Sequence, residues 1–265
     1  MMNELLKQSA NQVFQASSVN ELINAIIEFK YGEFLKHARI LRISRDAEVE
    51  LIKQNLLQKT SKIDEENLIN PLKTEQETVV MNSFDMLKNS LGVEHYRTLF
   101  ENLISSTFDK SKYSIIHPSF PFIIQQLTPL DARILLDIYD HEENSFTVGL
   151  SFGFINEDTS FKENFNDLYI LNDETEQLED FNLTNISINN LVKQGLIKLI
   201  PFDVSRDQES FDESSKKLKS INLFDVAKEH FSKNETLTQC GAATGPSSKI
   251  ILTQLGKSFI KVCVE

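Results

Sequence analysis

Thr107-Phe108-Asp109-Lys110, then His117-Pro118-Ser119-Phe120, then Leu127-Thr128-Pro129-Leu130-Asp131 punctuate the stretch from Leu99 to Ala132, where one architecture gives way to another. Upstream, Tyr96, Leu99, Phe100, Leu103, Thr107 and Phe108 fall on one face of a helix that ends near Asp109. Pro118 and Pro121 then fix a turn, with Ser119 placed to cap the helix that follows. Thr128-Pro129-Leu130-Asp131 reads as a helix start, with a Thr cap, Pro at the first helical position and an acid three after the cap.

Working back from this stretch, Val80, Phe84, Leu87 and Leu91 predict a helix closed by Gly92. Asn70-Pro71 marks a break before it, because the residue preceding proline is pushed out of the helical region. Phe34, Ala38 and Leu41, then Val49, Ile52 and Leu56, predict a long amphipathic helix. Its other side carries Lys36, Arg39, Arg42 and Arg45 every three residues. This basic ridge reads as a solvated face or as a docking strip for an acidic partner, the chain's own acidic half included.

Working forward, Ala132, Leu135, Leu136 and Tyr139 give the next helix its buried stripe. Phe146, Val148, Leu150, Phe152 and Phe154 alternate as a strand does. The acidic residues 156–182 read as loop or short helix. Thr184 to Gln194 predicts a helix burying Ile188, Leu191 and Val192, stopped by Gly195 in the left-handed region. Leu196 to Phe202 and Lys249 to Leu252 read as strands, and Leu218, Ile221, Phe224, Ala227 and Phe231 as a helix between them. The last helix starts near Thr253 and buries Leu255, Phe259 and Val262. This order resembles a winged-helix domain with an enlarged wing at about 203–248. The expectation is a mainly α (α+β) chain, with a helical domain over 1–117 and a winged-helix-like domain with a small antiparallel sheet over 118–265.

The 265 residues include 40% hydrophobic residues, nineteen Phe and no Trp, an ordinary globular composition. A chain of this size buries about three-quarters of its unfolded surface, so its core needs no covalent staples. Cys240 and Cys263 are too few and too far apart for a disulfide framework or a zinc site, and read as free thiols in a reducing cytosol. The first residues lack a signal-peptide apolar core, and no run of about 18 apolar residues occurs. The expectation is a cytoplasmic protein without a membrane span. Of the net charge of −12, residues 128–265 hold most, with 13 Lys+Arg against 23 Asp+Glu. Such a field repels phosphate backbones and argues against sequence-independent nucleic-acid binding.

Asp109, Lys110, His117 and Ser119 supply the acid, base and hydroxyl that proton transfer or nucleophilic attack requires. The same residues also suit helix ends and caps, and that structural role is the expected one. In the helix from Thr184, Asn185, Asn189, Asn190 and Lys193 are of types that read adenine edges and neutralise phosphate. A single Lys on an acidic half is weak support, and Lys216, Lys217 and Lys219 are offset by Asp207, Glu209, Asp212 and Glu213. His37, His95, His141 and His230 show no metal-ligand spacing, so neither a metal nor a cofactor is expected. Gly241 to Lys249 lacks Gly-Lys-Ser/Thr, contains a Pro, and reads as a wing turn rather than a phosphate loop.

Leu103 to Lys110, His117 to Phe120 and Ile124 to Ala132 resemble the abortive infection alpha family. That family has a helix ending near Asp-Lys, a His-Pro-Ser-Phe turn and a Gln-Leu-Ser-Pro-like helix start, with Thr128 here in place of the usual Ser. Its later pattern is similar to Leu191 to Ile197 and to Leu252 to Cys263, and there is fainter similarity around Arg39-Ile40-Leu41 and Pro71-Leu72. The resemblance implies bacterial defence against phage by abortive infection, a process rather than a reaction. The resulting expectation is a non-enzymatic interaction or sensor protein with protein partners from the phage, the host or itself. The alternatives are a DNA-binding winged-helix regulator and a toxic hydrolase using Asp109, Lys110 and His117.

Overall fold

A computed structural model describes residues 18, 20–27, 46–90, 93–141, 145–155, 160–169, 181–202, 212 and 239–264. The chain forms two units, Met1–Gln126 with Ser258–Glu265, and Leu127–Lys257. The first is helical: α1 (Asp46–Thr60), α2 (Glu77–Asn89), α3 (Glu94–Thr107) and α4 (Phe120–Gln126), with residues 20–27 also helical. Short 3₁₀ turns occupy Glu65–Asn67, Pro71–Lys73 and Lys110–Ile115.

Helix α3 is the centre of this unit, packed against α1, α2, α4 and a π-helical turn at Ile260–Val264. Phe84, Phe100, Phe108, Phe120 and Phe259 have no exposed surface, and each contributes about 1.5–3 kcal/mol by leaving water. Phe120 meets Phe259 edge-on, with centroids 5.3 Å apart and planes at 89°, the arrangement favoured by the ring quadrupoles. The break before α2 has the expected cause, since Asn70 is held extended ahead of Pro71 at φ −90°, ψ 104°; in addition, its Oδ1 accepts the Leu72 N–H at 3.0 Å.

The second unit contains α5 (Pro129–Asp140), β1 (Phe146–Ile155), β2 (Ser160–Tyr169), α6 (Phe181–Lys193), β3 (Ile197–Pro201) and β4 (Gln239–Leu252). Helix α7 (Gln254–Phe259) follows β4 and leads into the π-helical turn. The strands form an antiparallel sheet in the order β2-β1-β4-β3, so the protein is of the α+β class. The start of α5 is the capping box read from the sequence. Thr128 Oγ1 accepts the Asp131 N–H at 3.1 Å, and Asp131 Oδ2 accepts the Thr128 N–H at 2.7 Å.

Gly195, at φ +72°, ends α6 as expected. The Leu196 N–H reaches the Leu191 carbonyl at 3.0 Å and the Gly195 N–H reaches Val192 at 2.9 Å. These are the two bonds of a Schellman cap, and they turn the chain straight into β3.

Several expectations are corrected. Residues 156–182 are not simply loop or short helix, because Ser160–Tyr169 pair with β1 from Ile155↔Ser160 to Thr147↔Tyr169. A register shift between Val148 and Leu150 breaks the period of β2, so its alternation is not continuous in sequence. Gly241 to Lys249 is not a wing turn but lies within β4, paired with β1. Pro246 is tolerated there because β3 reaches only to Ser248 and the β1 ladder shifts register beside it. Val192 is 38% exposed instead of buried.

The basic ridge of Lys36, Arg39, Arg42 and Arg45, the helix expected near 218–231, and most of the segment 203–238 lie outside the described residues. Among the described residues, no helix is long and apolar enough to cross a membrane.

Candidate functional site

The four residues Asp109, Lys110, His117 and Ser119 occupy three separate settings. Asp109 starts the 3₁₀ turn after α3: its Oδ1 accepts from the Ser111 N–H at 2.8 Å and from the Ser111 hydroxyl at 2.6 Å. The strand-like contact beside it, the Ile69 N–H on the Phe108 carbonyl at 2.9 Å, ties the end of α3 to the turn before α2. Lys110 is exposed and borders an open cleft of about 740 Å³ with Ile69, Lys73 and Tyr113.

His117 stands at the entrance to α4. Its Nδ1 accepts the Ser119 N–H at 3.2 Å and lies 2.7 Å from Ser119 Oγ, which then donates to the same nitrogen. Its ring tilts against Phe120, 6.1 Å between centroids. A hydroxyl beside an imidazole is half of a nucleophile–base pair, but such a base also needs an orienting acid. Among the described residues no carboxylate pairs with His117, and its ring instead satisfies the amide that α4 leaves open.

A second polar cluster lies on α3, whose residues from Leu99 to Thr107 are all buried. Asn102 Nδ2 donates to the carbonyls of Cys263 and Val264, each at 3.0 Å, and Ser106 Oγ to that of Val262 at 3.0 Å. Lys112 Nζ donates to the Lys261 carbonyl at 2.9 Å. These groups satisfy the open carbonyls and negative dipole end of the π-helical turn. Lys59 Nζ in turn donates to Asn102 Oδ1 at 2.5 Å.

On the next face Glu101 accepts from Asn55 Nδ2 at 3.1 Å on both carboxylate oxygens, with Arg97 Nε at 3.9 Å. Burial pushes the Glu101 carboxyl above the usual range, against the opposing effects of Asn55, Arg97 and Lys59. Burial also pushes the Cys263 thiol well up, only partly opposed by Lys112, which leaves it a core group and not a nucleophile.

In the second unit, Asn185, Asn189 and Asn190 of α6 are engaged locally. Asn190 Nδ2 donates to Asp131 Oδ2 at 2.8 Å, and Asn189 Nδ2 to the Asn185 carbonyl at 2.8 Å and to its Oδ1 at 3.1 Å. Lys193 is exposed. What the helix offers outward is apolar: Leu183 is 49% and Ile186 61% exposed, beside a cleft of about 570 Å³ bordered by Pro129 and Leu130. Leu183 and Ile186 do not stand out in the sequence. The available signal is that Ile186 falls out of phase with the buried Thr184, Ser187, Ile188 and Leu191.

No curated protein matches the chain. Among solved structures, an uncharacterized protein from the hydrocarbon-degrading marine bacterium Alcanivorax borkumensis SK2 is similar, with 13% identity and a TM-score of 0.30. That similarity covers 59% of this chain and 96% of the other. The abortive infection alpha family model matches residues 44–263, a span that takes in α1, the cluster on α3, α6 and the π-helical turn. The chain therefore belongs to the abortive infection alpha family, which implies a part in abortive-infection defence against phage.

Proposed function

We propose that this protein acts in phage defence as a non-enzymatic interaction or sensor protein, working in the cytoplasm and docking a protein partner on the outward face of α6. The observation that carries this reading is the exposure of Leu183 and Ile186 on a helix whose Asn185, Asn189 and Asn190 are held locally. Burying two large aliphatic side chains on a partner contributes a few kcal/mol, enough to anchor an interface. The acidic balance of residues 128–265 favours a partner segment whose apolar contacts are flanked by Lys or Arg.

The DNA-binding reading draws on the sheet order β1-β4-β3 with α6 leading into β3, an order that supports a winged-helix comparison. A groove-reading helix needs free base-reading side chains and several cations. Asn189 and Asn190 are engaged with Asn185 and Asp131, and Lys193 is the only cation on α6. These features favour a protein partner over DNA.

The test is defence itself. Cells expressing the wild-type chain are expected to reduce phage plating, and the tagged protein to retain a protein partner from infected cells. Ile186→Asp, at an exposed position, is expected to leave the melting temperature unchanged and to abolish both effects. Full protection by the variant would overturn the assignment of this face, and a salt-sensitive gel shift with DNA would favour the alternative.

A further inference from the structure

We infer that the cleft beside α3 in the first unit binds a small phosphorylated sugar, with the phosphate held by Lys59, Lys62 and Lys112. The cleft holds about 310 Å³, at the lower end of the range for small-molecule sites. It is bordered by the end of α1, the turn after it, the polar side of α3 and the 3₁₀ turn at Lys110–Ile115. Lys59 and Lys112 are half-buried, and their ammonium groups reach the same side of α3 one turn apart. Lys59 Nζ lies on Asn102 Oδ1, and Lys112 Nζ lies 3.5 Å from Ser106 Oγ.

Among the described residues, none of the three lysines has a carboxylate within ion-pair distance of 4.0 Å. Their known partners are neutral oxygens. Each ammonium has three N–H donors, so Lys59 retains two and Lys62 all three for a ligand. Half-burying a cation without a direct ion pair has a desolvation cost, which an anion in the cleft offsets.

Capping the π-helical turn does not account for this much charge. A helix C-terminus carries about half an elementary charge, and Lys112 alone already exceeds it. Among the described residues, Lys62 makes no side-chain hydrogen bond and donates to none of those carbonyls.

The remaining lining groups select the rest of the ligand. Asp64 and Asn67 border the same cleft, and Asp109 does so with one oxygen already engaged by Ser111. Carboxylates repel a bare phosphate but accept hydrogen bonds from hydroxyl groups. Three cations and three hydroxyl acceptors around one small cleft match a phosphate joined to a polyol, such as a pentose phosphate or the sugar-phosphate part of a mononucleotide.

Ribose 5-phosphate and inorganic phosphate serve as probes, titrated into the full chain by calorimetry at constant ionic strength. The expected result is saturable binding of both, with ribose 5-phosphate the tighter. Lys62→Gln is expected to keep the ligand-free melting temperature and weaken both by about tenfold, the loss of one charged hydrogen bond. Binding of neither probe, or equal affinity in Lys62→Gln, would overturn the site. Equal affinity for the two probes would overturn the sugar assignment.

Discussion

Replacing Gly256 by alanine sets two opposed effects against each other. In a helix interior glycine is less favourable than alanine by about 0.5–1 kcal/mol, so the substitution alone raises stability. In α7, however, a Cβ at this position would collide with the Leu196 carbonyl oxygen and lie 3.0 Å from its carbonyl carbon. That carbonyl is fixed from the other side, since it accepts the Thr253 N–H at 3.0 Å and Thr253 Oγ1 at 3.1 Å. Thr253 Oγ1 also lies 2.6 Å from the Gly195 carbonyl and accepts the Gly256 N–H at 2.9 Å.

Moving Leu196 away forfeits two hydrogen bonds of about 1 kcal/mol each and adds about 1–3 kcal/mol of overpacking strain. After the helix-propensity gain is subtracted, the net loss is about 2–4 kcal/mol. At 2–4 °C per kcal/mol this lowers the melting temperature by about 5–15 °C. Thermal unfolding followed by circular dichroism measures it, and a melting temperature equal to or above that of the wild type would refute the close approach of α7 to the Schellman turn.

Two further outcomes follow from the buried acids. The native state binds the Glu101 proton more tightly than the unfolded chain does, so stability falls as pH rises from the ordinary glutamate range through the raised value. Glu101→Gln is expected to flatten that slope in urea unfolding across acid to neutral pH, and parallel curves for the two proteins would contradict it. Asp131, 1% exposed, serves both Thr128 and Asn190. Asp131→Ala is therefore expected to cost about 2–3 kcal/mol in urea unfolding, against about 1 kcal/mol for Thr128→Ala, and equal losses would show that the Asn190 bond contributes nothing.

What was legible in the sequence was what a few neighbouring residues decide. Thr128 and Asp131 form their box within one turn, and Gly195 takes a conformation that disfavours other residues. Features set by distant partners were not legible. Gly241-Ala242-Ala243-Thr244-Gly245 has little preference for a strand and becomes one by pairing with β1, nearly a hundred positions earlier. Asn102 and Ser106 look like solvent-facing helix residues until the carbonyls of Val262 to Val264 supply their acceptors. The cleft likewise joins Lys59 and Lys62 to Lys112 from a separate segment, so no local motif announces it. The turn at His117–Ser119 was readable as a helix start because it closes within two residues, whereas Asp109, read as a helix end, also opens the 3₁₀ turn that follows through Ser111.

The return of Ser258–Glu265 to the first unit has a consequence for biosynthesis. Ser106 and its acceptor at Val262 are 156 positions apart, which at ordinary elongation speeds is a delay of about 8–30 s on the ribosome. Throughout that interval α3 has emerged with a polar row that no carbonyl yet satisfies, and with a groove where Phe259 belongs. The second unit has all its residues once Lys257 is added. Of the two units, the one translated earlier is therefore the later to finish folding, and a nascent chain halted before residue 258 carries a completed second unit on an unfinished first one.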